Sequence, residues 1–226
     1  MRRRLAGMVA ADALATSMIC GLCAAAPQDT KVKIAFVQNG IGVSPADFEF
    51  WRTGAGAVGD WAVVRDSTSS VGAAIEQSSG DHAENRYPLA IYKPLALKNV
   101  EVSTSFKLVS GTAPTAGIAV RLVNAGSYYV VAANALEGRV DLFRFVDGRR
   151  ERIAGTEGEV VRNHWQMLRV AVEDDHVTVS LDEQLLFKAW DRTFLKDGRV
   201  ALWTEEDTVA RFDRLEIARL PWSEHD

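Results

Sequence analysis

Apolar and polar side chains alternate along several stretches of this chain. Val100–Leu108 places apolar residues, with one threonine among them, at every second position and polar residues between them. A period of two turns one face of a β-strand to a core and the other to water. Leu168–Val172 and Val177–Leu181 repeat the pattern, and two consecutive aspartates between them are typical of a turn. We therefore predict a β-hairpin over residues 167–181.

Other stretches are apolar on both faces, which is typical of interior strands covered on both sides. They are Gly117–Val123, Tyr128–Ala133 and Val140–Val146. Turn-forming residues separate the strand candidates at the roughly 8–12-residue spacing of sandwiches and barrels. No window of helical length keeps an apolar stripe of helical period. The sequence predicts an all-β fold, a two-sheet antiparallel sandwich of jelly-roll type.

The N-terminus has the parts of a secretory signal peptide. Three arginines follow the first methionine, an apolar run covers Leu5–Ala26, and the run ends in three alanines. Asp12 interrupts the run, which leaves less than the roughly 20 apolar residues that span a membrane. We predict a cleaved leader over residues 1–26, a periplasmic or secreted protein, and no membrane span in the mature chain. A helix of the folded domain or a membrane anchor is the alternative.

Both cysteines of the chain, Cys20 and Cys23, lie inside the predicted leader. A cysteine that follows an apolar run can become a lipid-modified first residue, so a lipid-anchored protein is an alternative. That processing prefers a small residue before the cysteine, whereas Ile19 and Leu22 stand there. Cleavage after residue 26 leaves no cysteine for a disulfide, a metal site or a nucleophile.

The predicted organisation is a signal peptide (1–26), an N-terminal segment (27–44), a jelly-roll domain (45–220) and a C-terminal tail (221–226). The whole chain has a net charge of −4, and removal of the three arginines with the leader makes the charge more negative. Nucleic-acid binding favours a basic surface, so this charge argues against a nucleic-acid partner.

Several short motifs resemble those of a known superfamily. They are the turn, tryptophan and strand of Asn163–Val170, the later segments Asp191–Phe194 and Gly198–Thr204, and the earlier segments Gly59–Val63 and Arg86–Tyr92. Their order resembles the bacterial concanavalin A-like lectin/glucanase jelly rolls over residues 45–218. Within that superfamily the chain is most similar to an extracytoplasmic group tied to 3-keto-disaccharide hydrolases. The resemblance implies a carbohydrate or sugar derivative as partner, bound on the concave sheet or on the loops at its rim.

Polar residues inside otherwise apolar strands are the candidate ligand-binding groups. Burying a charge is costly unless it is paired or faces a cavity. We therefore expect Arg121, Asn134 and Arg144 to project onto one concave face and to hydrogen-bond sugar hydroxyls or a carboxylate. Arg86 and Tyr92 are expected to border the same groove. The alternative is structural, with each arginine paired to a nearby carboxylate or facing solvent.

Three of the six tryptophans fall within the fold motifs, namely Trp61, Trp165 and Trp203. Large aromatic side chains contribute much to packing, so we expect these three in the core. Stacking on a sugar ring is the alternative role for such a side chain.

One acidic segment resembles the catalytic strand of the glucanase branch, which carries Glu-x-Asp-x-x-Glu with alternate side chains on one face. Glu205–Ala210 matches it except that Ala210 replaces the last glutamate. Glycosidases usually need two carboxyl groups, so the segment is expected to be a solvated acidic loop, and no catalytic residue is predicted. A calcium site made by Glu205, Asp207 and Asp213 is the alternative, because calcium takes several oxygen ligands. No other metal or cofactor is predicted.

These observations favour an exported, non-catalytic protein that binds a glycan or sugar derivative on its concave sheet. A glycoside or 3-keto-disaccharide hydrolase, supported by the resemblance alone, is the alternative enzyme. A structural envelope protein is the third hypothesis.

Overall fold

The computed structural model describes residues 31–221, which form fifteen β-strands and one short 3-10 helix, Phe36–Gln38. The strands are β1 Lys31–Ala35, β2 Phe48–Gly54, β3 Trp61–Arg65, β4 Ala73–Gln77, β5 Arg86–Leu97, β6 Val100–Ser110, β7 Thr115–Asn124, β8 Ser127–Asn134, β9 Arg139–Val146, β10 Arg149–Glu157, β11 Gln166–Glu173, β12 His176–Leu181, β13 Gln184–Trp190, β14 Gly198–Thr204 and β15 Val209–Arg219. The predicted signal peptide with its two cysteines lies outside the described residues, as does all but the first residue of the predicted tail. Within residues 31–221, no helix has the length and apolar character needed to cross a membrane.

The strands build two antiparallel sheets. The eight-stranded sheet has the order β13-β12-β11-β6-β15-β4-β3, with β1 also paired to β15. The seven-stranded sheet has the order β10-β9-β8-β7-β14-β5-β2. The chain passes from one sheet to the other repeatedly, as between β5, β6 and β7 and between β13, β14 and β15. The predicted all-β jelly-roll sandwich is thus confirmed.

Strand alternation decides which side chains fill the space between the sheets. Val102 and Phe106 of β6, predicted from the period of two, are buried in one core cluster with Ile118 and Val131 of the seven-stranded sheet. Burying each such side chain contributes roughly 1.5–3 kcal/mol. The predicted hairpin is also present, because β11 pairs antiparallel with β12 around Asp174, which has a φ of 51°.

The seven-stranded sheet is covered on both faces in its middle, as its two-sided apolar strands predict. In β8, Tyr129 and Val131 face the other sheet, whereas Tyr128 and Val130 belong to a second apolar cluster. This second cluster lies on the face that is turned away from the main core, here called the outer face. It forms the base of the candidate site.

The turn between β9 and β10 positions one side of that site. Asp147 and Gly148 have φ values of 49° and 80°, the left-handed pair of a two-residue hairpin turn. Their turn sets the register in which Arg150 of β10 lies opposite Phe145 of β9. Since opposite residues in an antiparallel pair share a face, Arg150 joins the outer face.

The described part of the predicted N-terminal segment, from residue 31 onward, joins the sandwich. β1 pairs with residues 214–218 of β15, and the side chain of Phe36 is fully buried in the main core.

Candidate functional site

A layer of aromatic rings fills the middle of the outer face. Tyr87 stacks on Trp203 with ring centres 5.4 Å apart, and Tyr128 stacks on Phe145 at 4.7 Å. The hydroxyl of Tyr128 lies 2.8 Å from Thr53 Oγ1 and accepts a bond from the Trp203 indole at 3.3 Å. All four rings are almost fully buried. The middle of the face is therefore closed.

An open groove of about 240 Å³ lies at one rim of the outer face. We call it the rim groove. The β14–β15 loop and the ends of β7, β8 and β9 border it, together with β10. Its lining residues are Ala113, Thr115, Ala132, Asn134, Glu137, Asp141, Phe143, Arg150, Glu205 and Glu206.

Arg150 crosses from β10 to the opposite side of the rim groove. Its guanidinium carbon lies 4.9 Å from the ring centre of Phe143 and 5.3 Å from that of Tyr87, within the range of cation–π attraction. Its Nη1 donates to Glu205 Oε1 at 2.6 Å. Burial raises the pKa of the Glu205 carboxyl, and the charge and hydrogen bond of Arg150 oppose that rise. Burial also opposes the charge of Arg150, but its acidic neighbours raise the pKa of the guanidinium.

Asp141 of β9 is held by two arginines. It accepts from Arg139 Nη2 at 3.1 Å and from Arg152 Nε at 2.8 Å. Gly155 lies opposite Asp141 in β10, and a Cβ at position 155 would lie 1.8 Å from Asp141 Oδ1. A glycine is therefore required there for the carboxylate to take this position.

Asn134, one of the candidate ligand-binding residues, ends β8 and lines the rim groove. Its Oδ1 accepts the main-chain N–H groups of Leu136 and Glu137 at 2.8 and 3.0 Å, which orients the side chain. The amide nitrogen of Asn134 donates to no acceptor within residues 31–221. It is a fixed hydrogen-bond donor on the lining of the groove.

The loop after β14 carries two of the three glutamates that line the rim groove, and Arg86 holds this loop. Arg86 Nη1 donates to the carbonyl of Glu206 at 2.5 Å, and the N–H of Glu206 donates to the carbonyl of Arg86 at 2.8 Å. Glu206 has a φ of 49°, a conformation that is uncommon for a residue with a Cβ. The side chain of Arg86 is itself fully buried and also donates to the carbonyl of Ala57. Arg86 therefore shapes the groove from behind and does not line it.

The predicted ligand-binding residues do not share one face. Asn134 lies in the rim groove. Tyr92 is buried in the main core, where its ring packs against Phe48 at 5.5 Å. The expectation of one groove formed by Arg121, Asn134 and Arg144 and bordered by Arg86 and Tyr92 is not met by the geometry. Of these five residues, Asn134 is the one that lines the rim groove.

Arg121 leaves the outer face because of a β-bulge. Ala119 and Leu122 both belong to the outer cluster although they are three positions apart, and Arg121 between them has a φ of 50°. Its guanidinium is buried at 1% exposure and donates to the carbonyls of Lys98 and Phe194 at 3.0 and 2.5 Å. The bulge breaks the period of two, so alternation misplaces this side chain.

Arg144 lies on the same side of β9 as the core residues Val140 and Leu142, but it is near the end of the strand, beyond the core. Its Nη1 donates to Asp191 at 2.7 Å, and its Nη2 donates to Glu151 at 2.8 Å. This is the structural alternative, in which the arginine pairs with carboxylates.

The three calcium candidates are separately engaged. Glu205 binds Arg150, Asp207 accepts from the N–H and hydroxyl of Thr112, and Asp213 accepts from the N–H and hydroxyl of Ser70. Among residues 31–221, no three His, Cys, Asp or Glu side chains are grouped so that they could hold a metal ion. The calcium cluster that was the alternative for this segment is not assembled, since each carboxylate is bonded to a different part of the chain.

Sequence reasoning missed Phe143, Arg150 and Asp141. Along β9, Arg139, Asp141, Phe143 and Phe145 alternate with the buried Val140 and Leu142. This alternation of polar or aromatic residues with aliphatic ones is the signal that could have placed them on the outer face. The expectation that Trp61 and Trp203 are buried is correct, whereas Trp165 is half-buried.

No protein-family model matches this chain, and no curated protein matches its sequence. Solved structures do resemble its fold. The carbohydrate-binding module CBM66 from Bacillus subtilis has a TM-score of 0.57 at 20% identity, over 73% of this chain and 91% of that one. The β-glucanase of Bacillus licheniformis has a TM-score of 0.57 at 9% identity, over 85% and 100% of the two chains.

A third similar structure is the GH16 protein of Bacteroides ovatus, from a mixed-linkage glucan locus, in complex with a G4G4G3G product. Its TM-score is 0.57 at 9% identity, over 82% of this chain and 99% of that one. Identities this low establish the fold alone. This chain has the concanavalin-like jelly-roll fold, as its two sheets, the connections that cross between them and these similar structures together show.

Proposed function

We propose that this protein is an exported, non-catalytic carbohydrate-binding protein that holds a glycan in the rim groove. The observation that carries the proposal is the half-buried ring of Phe143, which lines the groove beside the unpaired amide nitrogen of Asn134. An aromatic side chain with a few oriented polar groups is the usual composition of a small-ligand site.

The chemistry of the lining matches a sugar. The apolar C–H face of a pyranose can pack on Phe143, the Asn134 amide can donate to a ring or hydroxyl oxygen, and the Glu206 carboxylate can accept from a hydroxyl. Four carboxylates and one arginine line the groove, so a neutral glycan is favoured over an acidic one. Two of the similar structures are named for carbohydrate binding or hold a glucan product, which supports this ligand class.

The carboxylates of the rim groove support binding over catalysis. Glu205 is engaged by Arg150, and Asp141 lies between Arg139 and Arg152. A hydrolytic pair needs one carboxyl group free to give a proton and a second free to attack or to activate water. Arginines engage both Glu205 and Asp141 in this arrangement, which argues against catalysis by that pair.

Export is the second part of the proposal. The basic start, apolar run and terminal alanines of residues 1–26 support a cleaved leader and a periplasmic or secreted location. Fractionation of expressing cells, with mass measurement of the N-terminus, tests it. A cytoplasmic protein with an intact N-terminus would contradict it.

Binding is tested with a glycan array, followed by calorimetry on each glycan that binds. We expect Phe143→Ala to weaken binding about fivefold to tenfold, the value of one aromatic contact. As a separate variant, Asn134→Ala should also weaken binding, because it removes one hydrogen bond to the glycan. Trp190→Ala is the matched control, because Trp190 is exposed and does not line the rim groove. Equal affinity of all three variants would exclude the rim groove, and the absence of any glycan binding would favour a structural envelope protein.

A hydrolase is the second candidate, and one observation favours it. Glu205 has a raised pKa and shares the rim groove with Asp141, and carboxyl groups in unlike environments are typical of acid–base pairs. A screen of chromogenic glycosides tests this candidate. Turnover that Glu205→Gln abolishes, with the fold retained, would replace the non-catalytic proposal.

A further inference from the structure

A second and larger groove lies away from the rim groove, between the β10–β11 connection and the β12–β13 turn. Its volume is about 560 Å³, which is within the range of sites for small organic ligands. We call it the Trp165 groove. It shares no lining residue with the rim groove; the lining is Glu157, Gly158, Glu159, Val161, His164, Trp165, Gln166, Leu181, Asp182, Gln184 and Leu186.

The aromatic ring of this groove is fixed before any ligand arrives. Trp165 Nε1 donates to Thr68 Oγ1 at 3.0 Å, and the ammonium of Lys107 lies 4.8 Å from the ring centre. Lys107 is itself held by Asp66. A ring that is already ordered loses little conformational freedom on binding, which favours affinity.

The walls of the Trp165 groove are also rigid. The amide of Gln166, which is buried at 7% exposure, bonds to the β10–β11 connection and to the β12–β13 turn. Its Oε1 accepts from the N–H of Val161 at 2.7 Å, and its Nε2 donates to the carbonyl of Glu159 at 2.7 Å and to Asp182 Oδ2 at 2.9 Å. The connection before β11 and the turn after β12 are thereby held at a fixed distance across the groove.

The free polar groups of the groove are mostly hydrogen-bond acceptors. The side chains of Glu157, Glu159 and Gln184 are exposed and make no hydrogen bond within residues 31–221. No lysine or arginine lines the groove, whereas Leu181 and Leu186 add apolar surface beside the ring. Uncharged groups that donate hydrogen bonds and carry an apolar face suit this lining, and anionic groups are repelled by it.

We propose that the Trp165 groove is a second carbohydrate site, which takes a neutral oligosaccharide with one sugar ring against Trp165 and hydroxyls donating to the carboxylates. The ligand class rests on the proposed function, whereas the site itself does not depend on the rim groove. Two separate sites on one domain bind a long polysaccharide more tightly than either site alone, because the second contact is intramolecular.

Nuclear magnetic resonance of the tryptophan indole N–H groups tests the site directly. Trp165→Phe assigns the Trp165 signal, and the probes are cellohexaose and laminarihexaose as neutral oligosaccharides and hexagalacturonate as an anionic one. We expect a neutral probe to shift the Trp165 signal in a saturable way and hexagalacturonate to leave it unchanged. The proposal is overturned if neither neutral probe shifts the Trp165 signal, or if hexagalacturonate alone shifts it.

Variants separate this proposal from the rim groove. Trp165→Ala should weaken retention on an immobilised neutral β-glucan about fivefold to tenfold, and Trp190→Ala, an exposed tryptophan outside both grooves, should not. Gln184→Ala, which alters an exposed groove residue without removing the ring, is the second variant and should also weaken retention. The second site is overturned if Phe143→Ala loses retention while Trp165→Ala and Gln184→Ala keep it. A Trp165 shift that persists in Phe143→Ala, with no effect of Phe143 on affinity, instead overturns the rim groove.

Discussion

Arg150 Nη1 lies 2.6 Å from Glu205 Oε1, so a cation from β10 and a carboxylate from the loop after β14 meet across the rim groove. Burial raises the pKa of Glu205, and Arg150 opposes that rise. We expect Arg150→Met to raise the pKa of Glu205 further, because the opposing charge and hydrogen bond are removed. Carbon-13 resonance titration of the Glu205 carboxyl measures it. Arg149→Met is the control, because Arg149 is exposed and its side chain points to the other face of β10. An unchanged Glu205 titration in Arg150→Met would contradict the pairing.

Gly155→Ala should disturb the rim groove through Asp141. The added Cβ would lie 1.8 Å from Asp141 Oδ1, so either the carboxylate or the β9–β10 pair must move. We expect a loss of about 1–3 kcal/mol of unfolding free energy, the usual cost of overpacking, together with weaker glycan binding. Urea denaturation and calorimetry measure the two effects. Gly80→Ala, where a Cβ meets nothing within 4 Å, should change neither, and a Gly155→Ala protein of normal stability would contradict the close approach.

Asp66 should make stability depend on pH. Burial opposes its charge, but hydrogen bonds from Lys107, Thr68 and Arg211 outweigh burial and hold the pKa of Asp66 well below its usual range. A carboxyl group with a depressed folded-state pKa stabilises the fold above its unfolded pKa of about 4, and that stabilisation is lost as the pH falls toward the folded value. Asp66→Asn should cost about 3 kcal/mol at neutral pH, because it leaves Lys107 without a carboxylate and Arg211 with Glu76 alone, and it should cost less in acid.

Denaturation of Asp66→Asn and the unchanged protein between neutral and acidic pH checks this expectation. The two stability curves should converge as the pH falls below 4. A constant difference at every pH would mean that the charge of Asp66 does not contribute. Glu84→Gln, at an exposed carboxylate that makes no hydrogen bond or ion pair within residues 31–221, is the control for the loss of one charge.

Arg121→Ala should affect stability and leave glycan binding unchanged. The substitution removes the donors that the carbonyls of Lys98 and Phe194 accept from, and the loss of such buried bonds costs about 1–3 kcal/mol. Arg121 is not in the lining of either groove. Chemical denaturation and calorimetry of the folded protein separate the two effects. A loss of glycan affinity with normal stability would return Arg121 to the ligand-binding role that its place in the sequence suggests.

The fold could be predicted because its main determinant is local. Alternation in residues such as Val102 and Phe106 indicates directly which face of a strand is buried. Strands that are apolar on both faces, such as Tyr128–Ala133, indicate a sheet that is covered on both faces. Of the residues that line the rim groove, Asn134, which ends a strand, is the one candidate ligand-binding residue predicted from the sequence. The bulge at Arg121 resets the alternation without a glycine or proline to mark it.

Partners distant in sequence were the second obstacle. Arg144 pairs with Asp191, and Arg150 pairs with Glu205. Which carboxylate meets which arginine depends on the order of strands in the sheets, and a single sequence does not report that order. Trp165 falls in a fold motif, so its motif predicted burial and not a groove.

The last strand of the domain has neighbours on both sides. β15 pairs along its length with β6, and its other edge pairs with β4 at residues 210–212 and with β1 at residues 214–218. A nascent chain that still lacks these residues would leave three strands with unpaired backbone groups. The eight-stranded sheet can therefore close only after synthesis has passed residue 219.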